Sequence, residues 1–149
     1  MNTMSTNTGK DLEDSFGDAV DYSVFCQILE MDDDPDDREF STSICYGFFE
    51  QVEETFERMG LAITEGELRQ INELAHFLKN SSATIGLVKV QKGCEKIQHY
   101  GMNEDLDGSP EPDSELCLRR IVEALEDVKA DYSYAERKIK AFYSNPEVE

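Results

Sequence analysis

From Leu118 to Phe142 an apolar residue falls at every third or fourth position: Leu118, Ile121, Leu125, Val128, Tyr132, Ala135, Ile139 and Phe142. This is the period of an α-helix, about 3.6 residues per turn. It predicts a long helix over about 113–143, capped by Asp113 or Ser114 and fraying at "SNPEVE". A helix with one apolar stripe of this length is not stable alone in water, because its stability comes from covering that stripe. The rest of the chain must therefore supply helices long enough to pack along it. No segment shows strand-like alternation, and no internal repeat is visible.

Four further segments read as helices. "DYSVFCQILEM" predicts a short one over about 21–31, with Asp21 or Ser23 as its N-cap. The run "DDDPDD" (Asp32 to Asp37) reads as a solvated turn that places negative charge at the N-terminus of the next helix. It is not an EF-hand loop, since the glycine and the twelfth-position glutamate are not in register. A second helix is expected over about 37–61, with Cys45, Phe49, Val52, Phe56 and Met59 as its stripe. "GLAITEGE" reads as a break, with Thr64 capping a third helix over about 65–85 and Glu67 completing a capping box. Gly86 ends that helix. The fourth runs over about 87–100, with Leu87, Val90, Cys94 and Ile97 inward. "GMNEDLDGSPEPDS" is a loop dense in turn residues. The expected fold is all-α: an antiparallel up-down four-helix bundle over residues 21–145 with a short additional N-terminal helix. A polar, disordered tail is expected over residues 1–20.

With 149 residues and 39% hydrophobic content, one domain with a real core is expected. The net charge of -19 repels phosphate backbones and anionic headgroups, so nucleic acid and membrane are excluded as partners. No apolar run approaches the ~18 residues that a membrane span needs. "MNTMSTNTGKDLEDS" has no apolar stretch of the kind a secretory signal requires. Cys26, Cys45, Cys94 and Cys117 are widely spaced in apolar helical patterns, and read as reduced core residues of a cytosolic protein.

One histidine breaks the helical logic. In the third helix Ile71, Leu74, Ala75, Leu78, Ser82 and Ile85 lie within roughly ±50° of one direction, and His76 points about 150° away from it. It faces solvent. Lys79, Asn80 and Ala83 share its strip, one and two turns on. Asn80, Ser81, Ser82 and Ala83 are smaller than the glutamates, lysines and arginines that helix propensity favours on a solvent face. Small residues beside an imidazole leave room for another protein, although close helix packing explains Ser82 equally well. On the residues alone, His76 is either an idle surface group or a nucleophile. No nucleophile elbow, HExxH or P-loop accompanies it, and His99 reads as an idle group on the solvent side of the fourth helix. No metal site is expected. An exposed neutral imidazole can by itself accept a phosphoryl group and release it, with Lys79 offsetting the added charge.

"HFLKNSSATIGL" resembles the signature of histidine-containing phosphotransfer (HPt) proteins, which reads roughly H-x-L-K-G-S-S-x-x-L-G. "CEKIQHYG", and "ILEMDDD" leading into "EFSTSICYGFFEQVEETFERM", are similar to the single-domain HPt proteins of fungal phosphorelays. The resemblance covers about residues 21–101. It implies a carrier, not an enzyme, that takes a phosphoryl group on His76 from the receiver domain of a hybrid sensor kinase and passes it to the receiver aspartate of a response regulator. It further implies that Lys79 steadies the phosphoryl group and that Gln98 hydrogen-bonds the imidazole, although an ordinary interhelical bond explains Gln98 as well. No cofactor is implied, since Mg²⁺ comes with the receiver. A monomer in cytoplasm and nucleus is expected. Asn80 departs from the family pattern, which has glycine there.

A docking surface is also expected. Phe40, Ile44 and Phe48 widen the apolar face of the second helix at its N-terminal end, and Val24, Ile28 and Met31 form a second flank on the first helix. The two flanks either cover each other or leave a patch for a partner. The resemblance implies that receivers dock at this end of the bundle, with Val24, Ile28, Met31, Ile44, Asn80 and Ser81 as the expected partner contacts. Two other functions compete: a helical adaptor that binds receivers without phosphotransfer, and a hydrolytic or metal enzyme.

Overall fold

The computed structural model describes residues 16–34 and 36–144. They form five helices: α1 (Tyr22–Leu29), α2 (Glu39–Glu65), α3 (Leu68–Ile85), α4 (Val88–Gly101) and α5 (Ser114–Ser144). The long helices neighbour one another in chain order. α3 packs most extensively on α4 and α4 on α5, α2 lies against α3, and α5 returns to α2. This is the up-down four-helix arrangement, with α1 laid across α3 as an addition. Seven of the eight stripe residues of α5 are buried and Leu118 is half-buried, so the period read from the sequence is the packing face of the helix.

Capping sets where the helices begin. Asp21 caps α1 by accepting from Ser23 N at 3.1 Å, and Asp113 caps α5 by accepting from Leu116 N at 3.1 Å. The second helix outruns its expected end. Gly60 stays inside it, and it stops at Gly66, which adopts a left-handed φ of 71°. There Glu67 N donates to Ala62 O and Gly66 N to Ile63 O, a Schellman closure. The capping box expected from Thr64 and Glu67 is absent, because Thr64 lies inside α2 and its hydroxyl donates to Gly60 O at 3.0 Å.

The chain is packed from Phe16 onward, so the expected tail to residue 20 is too long at its inner end; residues 1–15 lie outside the described residues. Phe16, Ala19 and Val20 are buried, and the Phe16 ring sits edge-on to Phe25 and Phe142. Phe25 in turn meets Phe142 and Tyr143 at 5.9 and 6.3 Å between ring centroids. This aromatic cluster fastens α1 to the C-terminal end of α5.

The acidic turn is only partly the solvated element expected. Asp33, Asp34, Asp36 and Asp37 are exposed, but the Asp32 carboxylate has no solvent exposure. It accepts from Ser41 N at 2.8 Å and from Ser41 Oγ at 2.7 Å, and Tyr143 OH donates to that same Oγ at 2.9 Å. Asp32 therefore satisfies a free N–H in the first turn of α2 from nine residues away. Charge at that N-terminus is as the sequence suggests, with Asp37 accepting from Glu39 N.

The cysteines are unpaired, and three of them are buried. Burial pushes the Cys45 thiol up to about 11 and the Cys94 thiol up to about 12, so both stay protonated packing groups. No helix among the described residues is long and apolar enough to cross a membrane.

Candidate functional site

His76 lies on the exposed face of α3, with the buried residues Ala75 and Leu78 on the opposite side of the helix. Both of its ring nitrogens are engaged. Gln98 reaches across from α4 and places Nε2 3.1 Å from His76 Nδ1. Asn80, one turn on along α3, places Nδ2 3.2 Å from His76 Nε2. The close approach of α3 and α4 is what brings Gln98 within reach. It depends on Gly101, where an added Cβ would lie 3.0 Å from Asn72 Cβ and 3.1 Å from Leu68 O.

Lys79 does not touch the imidazole. Its Nζ lies 3.7 Å from Glu95 Oε1, with 31% of its side chain exposed. Glu95 sits three residues before Gln98, so both project from one face of α4 toward the His76 strip. Sequence reading missed Glu95. The i, i+3 spacing to Gln98 was the available signal, hidden in a chain with 33 acidic residues. His99 is not idle: it is half-buried, and its Nδ1 lies 3.0 Å from Glu104 Oε1, tying the end of α4 to the following loop. Among the described residues no group of three or more His, Cys, Asp or Glu is placed to hold a metal ion.

A groove opens beside His76 between α2 and α3. Ser43, Ile44, Gly47 and Phe48 line one wall, and Phe77, Asn80, Ser81 and Thr84 the other. Ser43 also borders a depression lined by Met31 and Phe40, which are 56% and 54% exposed. The surface therefore runs continuously from the end of α1 to the imidazole. Ile44, Ser81 and Val24 are half-buried, and Asn80 is exposed. Ile28 and Phe48 are corrections to the expected flanks. They are only 5% and 6% exposed, both within the hydrophobic core, with the Phe48 ring packed against Tyr132 of α5. Ile28→Ala is therefore expected to cost about 2–4 kcal/mol of stability, as for other buried large-to-small changes. A denaturant melt measures it, and such a variant does not report on docking. Phe77, 47% exposed, is a groove residue that sequence reading passed over, because an exposed aromatic on a polar face has no periodic signature.

One exposed imidazole braced on both nitrogens, on a helical bundle with an apolar groove beside it, defines a histidine phosphotransfer module. The Hpt domain model matches residues 47–131, more than half of the chain, and the chain belongs to that family. It is 43% identical over 125 residues to multistep phosphorelay regulator 1 of Schizosaccharomyces pombe, an alignment covering 83% of this chain and 42% of that protein. It is 40% identical over 104 residues to the phosphorelay intermediate protein YPD1 of Candida albicans, covering 70% of this chain and 54% of that protein. The chain thus spans about half the length of the curated relatives it matches. Among solved structures it resembles the Saccharomyces cerevisiae histidine phosphotransfer signaling protein Ypd1, co-crystallised with the receiver domain of its downstream response regulator Ssk1. The TM-score is 0.75 at 25% identity, over 85% of this chain and 95% of that one.

Proposed function

We propose that this protein is a stoichiometric phosphocarrier of a multistep relay. His76 accepts a phosphoryl group from the receiver domain of a hybrid sensor kinase and gives it up to the receiver aspartate of a response regulator. The observation that supports this reading best is the double bracing of an exposed imidazole by Gln98 and Asn80. An idle surface histidine has no reason to be oriented through both nitrogens. The names of the relatives, phosphorelay regulator and phosphorelay intermediate, point the same way.

The chemistry follows from the geometry. Gln98 fixes the nitrogen turned toward α4, which leaves Nε2 as the attacking atom. Its lone pair forms a bond to phosphorus while the acyl-phosphate P–O bond breaks, and that electron pair stays on the receiver carboxylate. Running the same step backward delivers the group to a second receiver. Mg²⁺ and the acidic pocket belong to the receiver in this scheme. The carrier works as a monomer, shared between cytoplasm and nucleus, and turns over no substrate alone. The decisive experiment is incubation with a phosphorylated receiver followed by mapping of the labelled residue. Acid-labile, base-stable label on His76 supports the proposal, and binding without label would make the chain an adaptor instead.

Lys79 must leave Glu95 to meet a phosphoryl group. Lys79→Ala is expected to slow transfer or shorten the phosphohistidine lifetime, while stability moves by no more than about 0.5 kcal/mol. Glu95→Gln releases the lysine and is expected to leave that lifetime equal or longer. Radiolabel decay in the two variants measures both effects; equal decay in each would make Lys79 a plain surface residue.

Receivers dock, in this reading, on the surface running from Met31 and Phe40 to Ile44. Met31→Ala or Ile44→Ala is expected to weaken association by about 1–3 kcal/mol if the contact is central. Titration calorimetry reads the affinity, with a melting curve to confirm the fold. Strong salt dependence without any effect of these substitutions would move the determinant to the acidic rim at Asp33, Asp34 and Asp37.

A further inference from the structure

A neutral imidazole carries one N–H and one lone pair. His76 has an amide at each nitrogen, so one amide must present its N–H to the lone pair and the other its carbonyl oxygen to the ring proton. The two choices are chemically different. Only the tautomer with its proton on Nδ1 leaves Nε2 able to attack phosphorus. Asn80 Nδ2 lies at His76 Nε2 and Gln98 Nε2 at Nδ1, so both amides have nitrogen toward the ring and one of them must turn end for end; the tautomer that can attack phosphorus requires that it be Gln98.

We propose that Asn80 is a positioning residue for the phosphoryl acceptor. Its amide N–H donates to His76 Nε2 and holds the lone pair there. The ring proton then resides on Nδ1, where Gln98 accepts it once its amide is turned to present the carbonyl oxygen in place of the nitrogen. Asn80 and His76 stand one turn apart on the same helix, so the bond needs no other element to form it. It also covers the reactive atom. Each transfer begins with the amide giving up Nε2. The N–P bond then forms, the receiver's P–O bond breaks toward its carboxylate, and the ring proton stays on Nδ1, giving an imidazolium phosphoramidate. The freed amide N–H can then donate to a phosphoryl oxygen, so one side chain serves both states of the acceptor.

The inference rests on the phosphocarrier reading for its choice of tautomer and for its transfer arm, but the measurement of the tautomer does not. The tautomer is read by ¹⁵N NMR of the ring nitrogens in the unphosphorylated protein, with no phosphoryl donor present. In the parent the Nδ1–H form is expected to dominate. Asn80→Asp is isosteric but can only accept, so it should draw the proton onto Nε2, invert the tautomer ratio and slow phosphoryl uptake at least about tenfold. Asn80→Leu keeps the bulk and removes the donor. It should lower the Nδ1–H fraction and slow uptake by about 2- to 10-fold. Melting curves establish that each variant is folded. An unchanged tautomer ratio in Asn80→Asp would overturn the proposal, as would severalfold faster uptake in Asn80→Gly, which would show that the side chain only crowds the site. A parent with the Nδ1–H tautomer that takes no label would support the positioning role and overturn the phosphocarrier reading alone.

Discussion

His76→Gln is expected to fold as the parent does and to take no phosphoryl group at all. The side chain faces away from the core, and its two hydrogen bonds are both exposed to solvent. Substitutions at such positions usually change stability by no more than about 0.5 kcal/mol. The chemical loss is complete by contrast, since an amide has no nucleophilic lone pair on nitrogen. Label transferred from a phosphorylated receiver, counted after gel separation, measures the loss, and a thermal melt measures the fold. His99 is the only other histidine, and its Nδ1 is held by Glu104 at the C-terminal end of α4. Full labelling of the variant, or label on His99, would place the acceptor elsewhere.

Gly86→Ala is expected to produce a large loss of stability from one added methyl group. Gly86 ends α3 at a φ of 90°, which costs any other L-residue about 1–2 kcal/mol. A Cβ there would also lie 2.9 Å from Asp21 O and 3.2 Å from Val24 Cβ. Asp21 N donates to Gly86 O at 2.7 Å, so the glycine is the point where α1 is strapped to the end of α3. The methyl group must push that strap away. A total of about 2–4 kcal/mol follows from strain plus crowding, which is a fall of roughly 5–15 °C in Tm for a chain of this size. Gly108→Ala supplies the comparison. Its φ is 87°, but an added Cβ meets nothing within 4 Å, so only the backbone strain remains. Equal losses in the two variants would remove the strap from the explanation. The extra loss in Gly86→Ala should be accompanied by weaker receiver binding, because Val24 moves with α1.

What the sequence reveals about this fold depends on how local the controlling interaction is. The stripe of α5 and the outward turn of His76 are consequences of one period, so they are legible from spacing alone. Gln98 was legible only through family resemblance, because whether a residue on one helix reaches another depends on how closely Gly101 lets α3 and α4 approach. The end of α2 was misplaced because Gly60 and Gly66 look alike in a string. Only the second takes a left-handed conformation, and tertiary packing makes that choice. Asp32 read as one of five solvated aspartates. Its burial depends on Ser41 and Tyr143, and the hydroxyl of Tyr143 is 102 positions from the serine it meets. Ile28 was read outward because a helix of eight residues has too few turns to define its buried side when Phe16, from a segment expected to be a tail, packs on its neighbour Phe25.

The clamp between α1 and the end of α5 has a consequence for biosynthesis. Phe25 is covered by Phe142 and Tyr143, and Asp32 and Ser41 are joined to that same tyrosine. A ribosome makes the first partner of each pair more than a hundred residues before the second. Until Tyr143 has emerged, α1 has its backbone strap to the end of α3 but lacks the rings that cover Phe25. The seat of α1 is thus completed by residues more than a hundred positions downstream, and its formation waits on α5.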